Sequence, residues 1–179
     1  HDAAAKFANR VFSWQMITQF VLLMAALGAM RPIISVMAPG FAAHPGQLET
    51  ATALARIAFP YLICTVVAVQ LSAMLNAVGK FAAAAAWSIF LNLSMIAALF
   101  CAPFFPNAAY AAATGVFAAG IAQLIFIVWA AARSHLHLRI GRPRWTPEIK
   151  QFMLALGAAT FGSASVQIGL FIDNVIASF

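Results

Sequence analysis

Asp173 is the one acidic residue inside a long apolar run, in the segment SVQIGLFIDNVIASF (165–179). A charge in a membrane interior is costly unless it is paired, hydrated or neutralised, so such residues face a bundle interior or a cavity. Two chemistries fit Asp173. It is either a carboxylate ligand for a coupling ion, with small neighbours leaving room for a cation and backbone oxygens, or a protonated or hydrogen-bonded structural Asp. Turning the segment by about 100° per residue sorts its neighbours into faces. Thr160, Ser163, Gln167 and Asn174 fall in one narrow stripe, and Gly162, Ser165, Gly169 and Asp173 lie on roughly the opposite side. Phe161, Ile168, Ile172 and Val175 fall between them and read as lipid-facing. Small residues let helices approach closely. Gly162 and Gly169 therefore place Asp173 at a helix–helix contact or a crevice beside one, in the outer half of the membrane.

Other polar side chains in apolar runs are isolated: Gln70, Ser72, Asn76, Ser88, Asn92, Thr114 and Gln123. Such residues bond neighbouring helices more often than they bind substrate. Arg56 is placed to snorkel to an interface, with an anionic ligand as the alternative. His135 and His137 lack the i, i+4 spacing of a helical zinc pair, and Cys64 and Cys101 have no metal or disulfide spacing, so no metal is expected beyond a sodium ion at Asp173. There is no nucleotide-binding loop, no zinc-protease helix and no second catalytic group beside Asp173. The pattern points to a transporter and not an enzyme, with no catalytic residues.

The elements that must position Asp173 are five apolar stretches, 11–38, 51–78, 81–103, 107–132 and 147–179. Each reaches the ~20 residues that cross a ~30 Å hydrocarbon layer. The chain is 64% hydrophobic and only 8% charged, far below the ~25% charge of a soluble domain. No short alternating segments suggest a membrane barrel. The fold class is all-α, a polytopic membrane helix bundle. APGFAAHPG (38–46) reads as a loop. Pro60 predicts a kink, and Gly79-Lys80 a turn so short that its flanking spans form an antiparallel hairpin. Pro103 to Pro106 marks the next turn. Thr146 as N-cap, Pro147 at the first helical position and Glu148 in the first turn open the last span. The chain has no signal-peptide pattern, opens on His1 and closes on Ala177-Ser178-Phe179 with no helix stop, which predicts a piece of a longer protein.

The net charge of +6 is a topology signal and not a nucleic-acid footprint. With the first span running outward, the inside connectors hold Lys6, Arg10, Lys80, Arg133, Arg139, Arg142, Arg144 and Lys150, and the outside ends only Arg31 and Arg56. That is a positive-inside bias. His1 and the connector RSHLHLRIGRPRWT (133–146) are then cytoplasmic, and Phe179 points outward. The connector reads as a positive-inside loop with Trp145 at the interface, and a lipid-headgroup patch is the other reading.

MAPGF (37–41), RIAFPYL (56–62), LNAVGKFAAAA (75–85), FLNLSMIAAL (90–99) and SVQIGLFIDNVIASF (165–179) follow one another at short intervals. In this order they resemble the MurJ (MviN) family of lipid II flippases, within the multidrug/oligosaccharidyl-lipid/polysaccharide exporter superfamily. The resemblance covers nearly the whole chain and matches helices three to seven of about fourteen. It implies that 1–132 holds four helices of an N-terminal lobe, that 133–146 is a cytoplasmic connector, and that 147–179 begins a C-terminal lobe. It also implies export of a lipid-linked peptidoglycan precursor across the bacterial inner membrane by alternating access, coupled to membrane potential or a cation gradient. Lipid II, membrane lipids and the rest of the same chain would be the partners. The family's cavity arginines lie on helices outside this chain, so no substrate-binding residue carries over. Part of the family has a sodium site with a carboxylate from helix seven, and Asp173 is similar in position; a proton is the other coupling ion. Another exporter of the superfamily, for drugs or polysaccharide precursors, and a non-transporting scaffold homologue are the alternatives.

Overall fold

In lipid, a backbone must satisfy its own polar groups, and a helix does so within one segment. The computed structural model of the chain is accordingly helical and has no strand among the residues it describes, 2–43, 46–136, 138 and 145–177, with backbone alone at 2–5, 42, 43, 161, 165 and 166. In order these are α1 (Asp2–Gly28), α2 (Met30–Met37), α3 (Gln47–Ala58), α4 (Tyr61–Ala77), α5 (Phe81–Ala86), α6 (Ile89–Phe100), α7 (Ala108–Arg133) and α8 (Pro147–Ala177), with 3₁₀ turns at Pro39–Ala43 and Ala102–Phe104. His1, His137, Arg139, Arg142, Arg144, Ser178 and Phe179 lie outside the described residues, as do the side chains of Phe161 and Ser165.

The spans are less continuous than the apolar pattern predicts. The first begins earlier: the polar lead-in, rich in alanine, is the opening of α1. It also breaks at Ala29, because Pro32 has no N–H for the Gly28 carbonyl. The ladder resumes with the Ile33 amide on Ala29 at 3.0 Å. Pro60 interrupts the second span in the same way. After it, the Leu62 and Ile63 amides reach back only three residues, to Phe59 and Pro60 at 3.0 and 3.2 Å. The third span is divided at Trp87–Ser88, where no proline stands. There the Ser72 hydroxyl of α4 donates to the Ala84 carbonyl at 2.8 Å, the acceptor that the Ser88 amide would use in an unbroken helix.

Taken across such breaks, Lys6–Gly28, Gln47–Ala77, Phe81–Phe100 and Ala108–Arg133 are long and apolar enough to cross a membrane. α8 makes a fifth span if its halves, Pro147–Ala164 and Gln167–Ala177, bent by 42°, are counted as one. Large apolar side chains face outward along these helices; Phe100 is 82% and Phe104 89% exposed. In water such a surface would drive association, whereas hydrocarbon solvates it.

Turns and caps fix the hairpins. Gly79, at φ +77°, ends α4 with paired bonds, Lys80 N–H to the Leu75 carbonyl at 2.8 Å and Gly79 N–H to that of Asn76 at 3.0 Å. This is a Schellman end with glycine in the left-handed position, and it returns the chain at once into α5. α7 closes the same way, with His135 at φ 56° and the Leu136 amide on the Ala131 carbonyl at 2.9 Å. Asn107 caps the start of α7, its side chain accepting from the Tyr110 amide at 3.1 Å.

α7 is the centre of the bundle. Two glycines let its neighbours close on it: a Cβ at Gly115 would lie 2.5 Å from the Ala98 Cβ of α6, and one at Gly120 would lie 2.8 Å from the Tyr61 ring of α4. Farther along, Ile127, Ala130 and Ala131 join Leu71 and Leu75 of α4 and Ala84 of α5 in the main buried cluster, with Leu136 packed against it.

Candidate functional site

α8 stands apart from the other helices. Thr146 holds the N-cap position, its carbonyl taking the Lys150 amide at 3.0 Å, and Pro147 and Glu148 open the first turn. The start of α8 is pinned to α1: Phe152 meets Phe7 edge-on at 6.0 Å, and Trp145, just before the helix, meets Trp14 at 5.5 Å. Its far end leans on α2, the 3₁₀ turn and α3, where Asn174 and Ala177 share a small cavity with Ile34, Met37, Phe41 and Ala51.

Between these two anchors runs an open groove of about 640 Å³, lined along α8 by Leu156, Thr160, Ser163, Gln167 and Phe171 among others. The polar stripe read from the sequence is thus one physical face. It continues from buried Ile149 near one anchor to Asn174 at the other, and the groove residues between them all belong to α8.

The stripe is mostly self-satisfied. The Thr160 hydroxyl donates to the Leu156 carbonyl at 2.8 Å, that of Ser163 to Ala159 at 3.1 Å, and the Asn174 amide to Leu170 at 2.9 Å. Hydroxyls bonding back one turn bend helices, and Gly–Ser pairs are common kink points. Gly162-Ser163 lies immediately before the bend, so the polar stripe and the 42° bend share one local cause. Gln167 is exposed in the groove with no hydrogen bond among the described residues.

Asp173 sits elsewhere. It is exposed, makes no hydrogen bond or ion pair among the described residues, and lies away from the groove. Among the described residues no helix closes on its face: a Cβ added at Gly162 or Gly169 would meet nothing within 4 Å. The small residues there have no neighbour among the described helices to accommodate. Of the predicted lipid-facing positions, Ile172 is exposed, Val175 is half-buried, and Ile168 lines the groove. Asp173 is next to Asn174 and so level with the α2–α3 connection. At ~1.5 Å per residue it is about 39 Å from the start of α8, beyond a ~30 Å hydrocarbon layer measured straight along the helix.

The predicted snorkelling arginine is part of a small cluster. Arg31 of α2 pairs with Glu49 of α3 at 3.2 Å, and Arg56 lines the same cavity of about 260 Å³. Cys64 and Cys101 are free thiols. The sequence reading missed the Arg31–Glu49 pair, which spans the 38–46 loop, because no local spacing announces it. It also missed Gly115 and Gly120, which stand five residues apart on one apolar helix and gain meaning only from the neighbours that close on them.

Long apolar helices with outward hydrophobic side chains, carrying a polar-striped helix pinned at both ends, define a multi-pass helical membrane protein. The chain belongs to the lipid II flippase MurJ family, whose model matches residues 1–179. A probable lipid II flippase MurJ of Rhizobium meliloti (strain 1021) is 40% identical over 186 residues, covering 99% of this chain and 34% of the relative. Those of Rhizobium tropici and Rickettsia prowazekii (strain Madrid E) are 32% and 31% identical, each again over 99% of this chain. The chain spans about a third of the length of the curated relatives it matches.

Proposed function

We propose that this chain is the part of a lipid II flippase that supplies one wall of the translocation route and the first helix of the opposite wall. The observation that carries the reading is the family match along all of 1–179. A physical counterpart supports this: α8 is held at two ends and carries an open groove between them, lined by its own Thr160, Ser163 and Gln167 among others. A lipid-linked pyrophosphate sugar needs a hydrated route for its headgroup while its tail stays in the bilayer. The substrate is therefore lipid II, moved across the bacterial inner membrane by alternating access, and the protein is a transporter and not an enzyme.

In this reading α1–α7 belong to the N-terminal lobe and α8 begins the C-terminal lobe. The start of α1 and the 133–146 connector face the cytoplasm, as the cation asymmetry requires. Asp173 is the ion-binding carboxylate, for sodium or a proton. Its exposure on the face with open space at Gly162 and Gly169 fits ligands arriving from helices outside this chain.

The test is complementation by the full-length protein in cells depleted of their own flippase, paired with lipid II translocation in vesicles. Asp173→Ala is expected to impair both far more than Asn92→Ala. Equal function of the two variants would remove the ion-site role. Absence of lipid II movement by the unmodified, folded protein would remove the flippase reading itself.

A further inference from the structure

On the side of α7 that faces α6, Ala122, Ile125, Phe126 and Trp129, together with Phe90 of α6, line a second open groove of about 570 Å³. Phe90 and Phe126 stack at 4.9 Å, and Phe126 and Trp129 lie 6.1 Å apart, so one aromatic wall crosses from α6 to α7. The groove ends at a cation: the Arg133 guanidinium lies 4.4 Å above the Trp129 ring. From Ala122 to Arg133 the wall runs about 16 Å along α7 at ~1.5 Å per residue.

We infer that this groove is a binding site for one anionic phospholipid, with an acyl chain along the Phe90–Phe126 wall and the headgroup phosphate on Arg133. A Trp and an Arg at a helix end are ordinary interfacial anchors. Here they close a groove with a wall from a second helix, and small Ala122 leaves room in it. Charge selects the occupant. Among the described side chains, Lys6, Arg10, Lys80, Arg133 and Lys150 stand at this end of the bundle, and the acid there is Glu148, in the first turn of α8. No described acid pairs with Arg133, and a guanidinium already ordered by an aromatic face is ready for a phosphate. The site does not depend on what the protein transports.

The experiment uses the full-length protein in nanodiscs of phosphatidylglycerol and phosphatidylcholine, with retained lipids counted by native mass spectrometry. The wild type is expected to keep phosphatidylglycerol in preference to phosphatidylcholine. Arg133→Gln should weaken phosphatidylglycerol retention about fivefold, the effect of one interfacial cation, and leave phosphatidylcholine unchanged. Ala122→Phe, which fills the groove, should reduce retention of both lipids, and Lys80→Gln should change neither. Equal retention by wild type, Arg133→Gln and Ala122→Phe overturns the inference, as does a groove covered by a second copy of the chain or by another helix of the protein, seen as protection of Ile125→Cys, in a protein whose free Cys64 and Cys101 are replaced by Ala, from lipid-soluble thiol reagents. Folding of each variant is checked by its thermal midpoint, and if Arg133→Gln does not fold, Ala122→Phe decides the outcome.

Discussion

Replacing Gly115 by alanine should loosen the crossing of α6 on α7, and the size of the effect follows from the contact. The added Cβ would lie 2.5 Å from the Ala98 Cβ and 3.3 Å from the Ser94 carbonyl oxygen. Carbon atoms rest at ~3.5–4.0 Å, so about 1 Å must be found. Ala98 has no flexible end to swing aside, and the Ser94 oxygen is backbone. The two helices must therefore separate. Overpacking of this kind costs ~1–3 kcal/mol, and removing a mid-helix glycine returns about 1 kcal/mol. The net expectation is a loss of up to about 2 kcal/mol. The assay is denaturation of the full-length protein in mixed micelles, followed by circular dichroism, for Gly115→Ala, Ala98→Gly and the double variant. Because Ala98→Gly removes the opposing methyl, the double variant should recover about 1 kcal/mol or more over the sum of the singles. Additive single effects, or a Gly115→Ala protein more stable than wild type, would refute the close-approach argument.

Three further substitutions test the elements that frame the bundle. Gly79→Ala forces a side chain into φ +77° and should lower stability by about 1–2 kcal/mol, read from the same denaturation curves. Asn107→Ala removes the cap on Tyr110 N–H and should cost about 1 kcal/mol, with Asn107→Ser retaining most of the stability. Glu49→Gln breaks the Arg31 pair, but both side chains are roughly two-thirds exposed (66% and 63%). Its effect should stay under ~1 kcal/mol, and a larger loss would mean that the pair is shielded in the intact protein.

That the chain is a series of long apolar helices was legible because hydrocarbon thickness imposes a length on every helix, whatever its neighbours; four reach that length, and α8 makes a fifth across its bend. Pro60 was legible for the same local reason: a missing N–H interrupts its own ladder. The break at Trp87–Ser88 was not, because its cause, the Ser72 hydroxyl on the Ala84 carbonyl, comes from another helix. Ser72 was recognised as a helix-bonding residue, but nothing in the sequence shows which carbonyl it reaches. The stripe Thr160–Ser163–Gln167–Asn174 was visible because 3.6-residue periodicity is local. Its bend was not, since back-bonding by serine and threonine depends on rotamers that periodicity does not encode. The crossings at Gly115 and Gly120 were missed because glycines on a uniformly apolar helix carry no polar signal, and only the partner atoms at Ala98 and Tyr61 give them meaning.

The two faces of α8 answer different questions about transport. On the groove face, Thr160, Ser163 and Asn174 have committed their donors to their own helix, which leaves the Gln167 amide with polar capacity to spare. On the other face, Asp173 has no hydrogen-bond or ion-pair partner among the described residues. Six residues separate Gln167 from Asp173, a turn of about 600°, so the two side chains point some 120° apart and cannot hold one ligand between them. In the proposed reading a headgroup in the groove would meet Gln167, whereas an ion at Asp173 would be held from the far side of the helix. In that reading α8 is the element the two sites share, and its bend at 164–167 is the place to test for coupling. Substituting Thr160 and Ser163 together by alanine removes the back-bonds that favour the bend without touching either Gln167 or Asp173. If α8 carries the coupling, that double variant should still bind cation and substrate but lose the dependence of one on the other. A variant with unchanged cation dependence of transport would place the coupling outside α8.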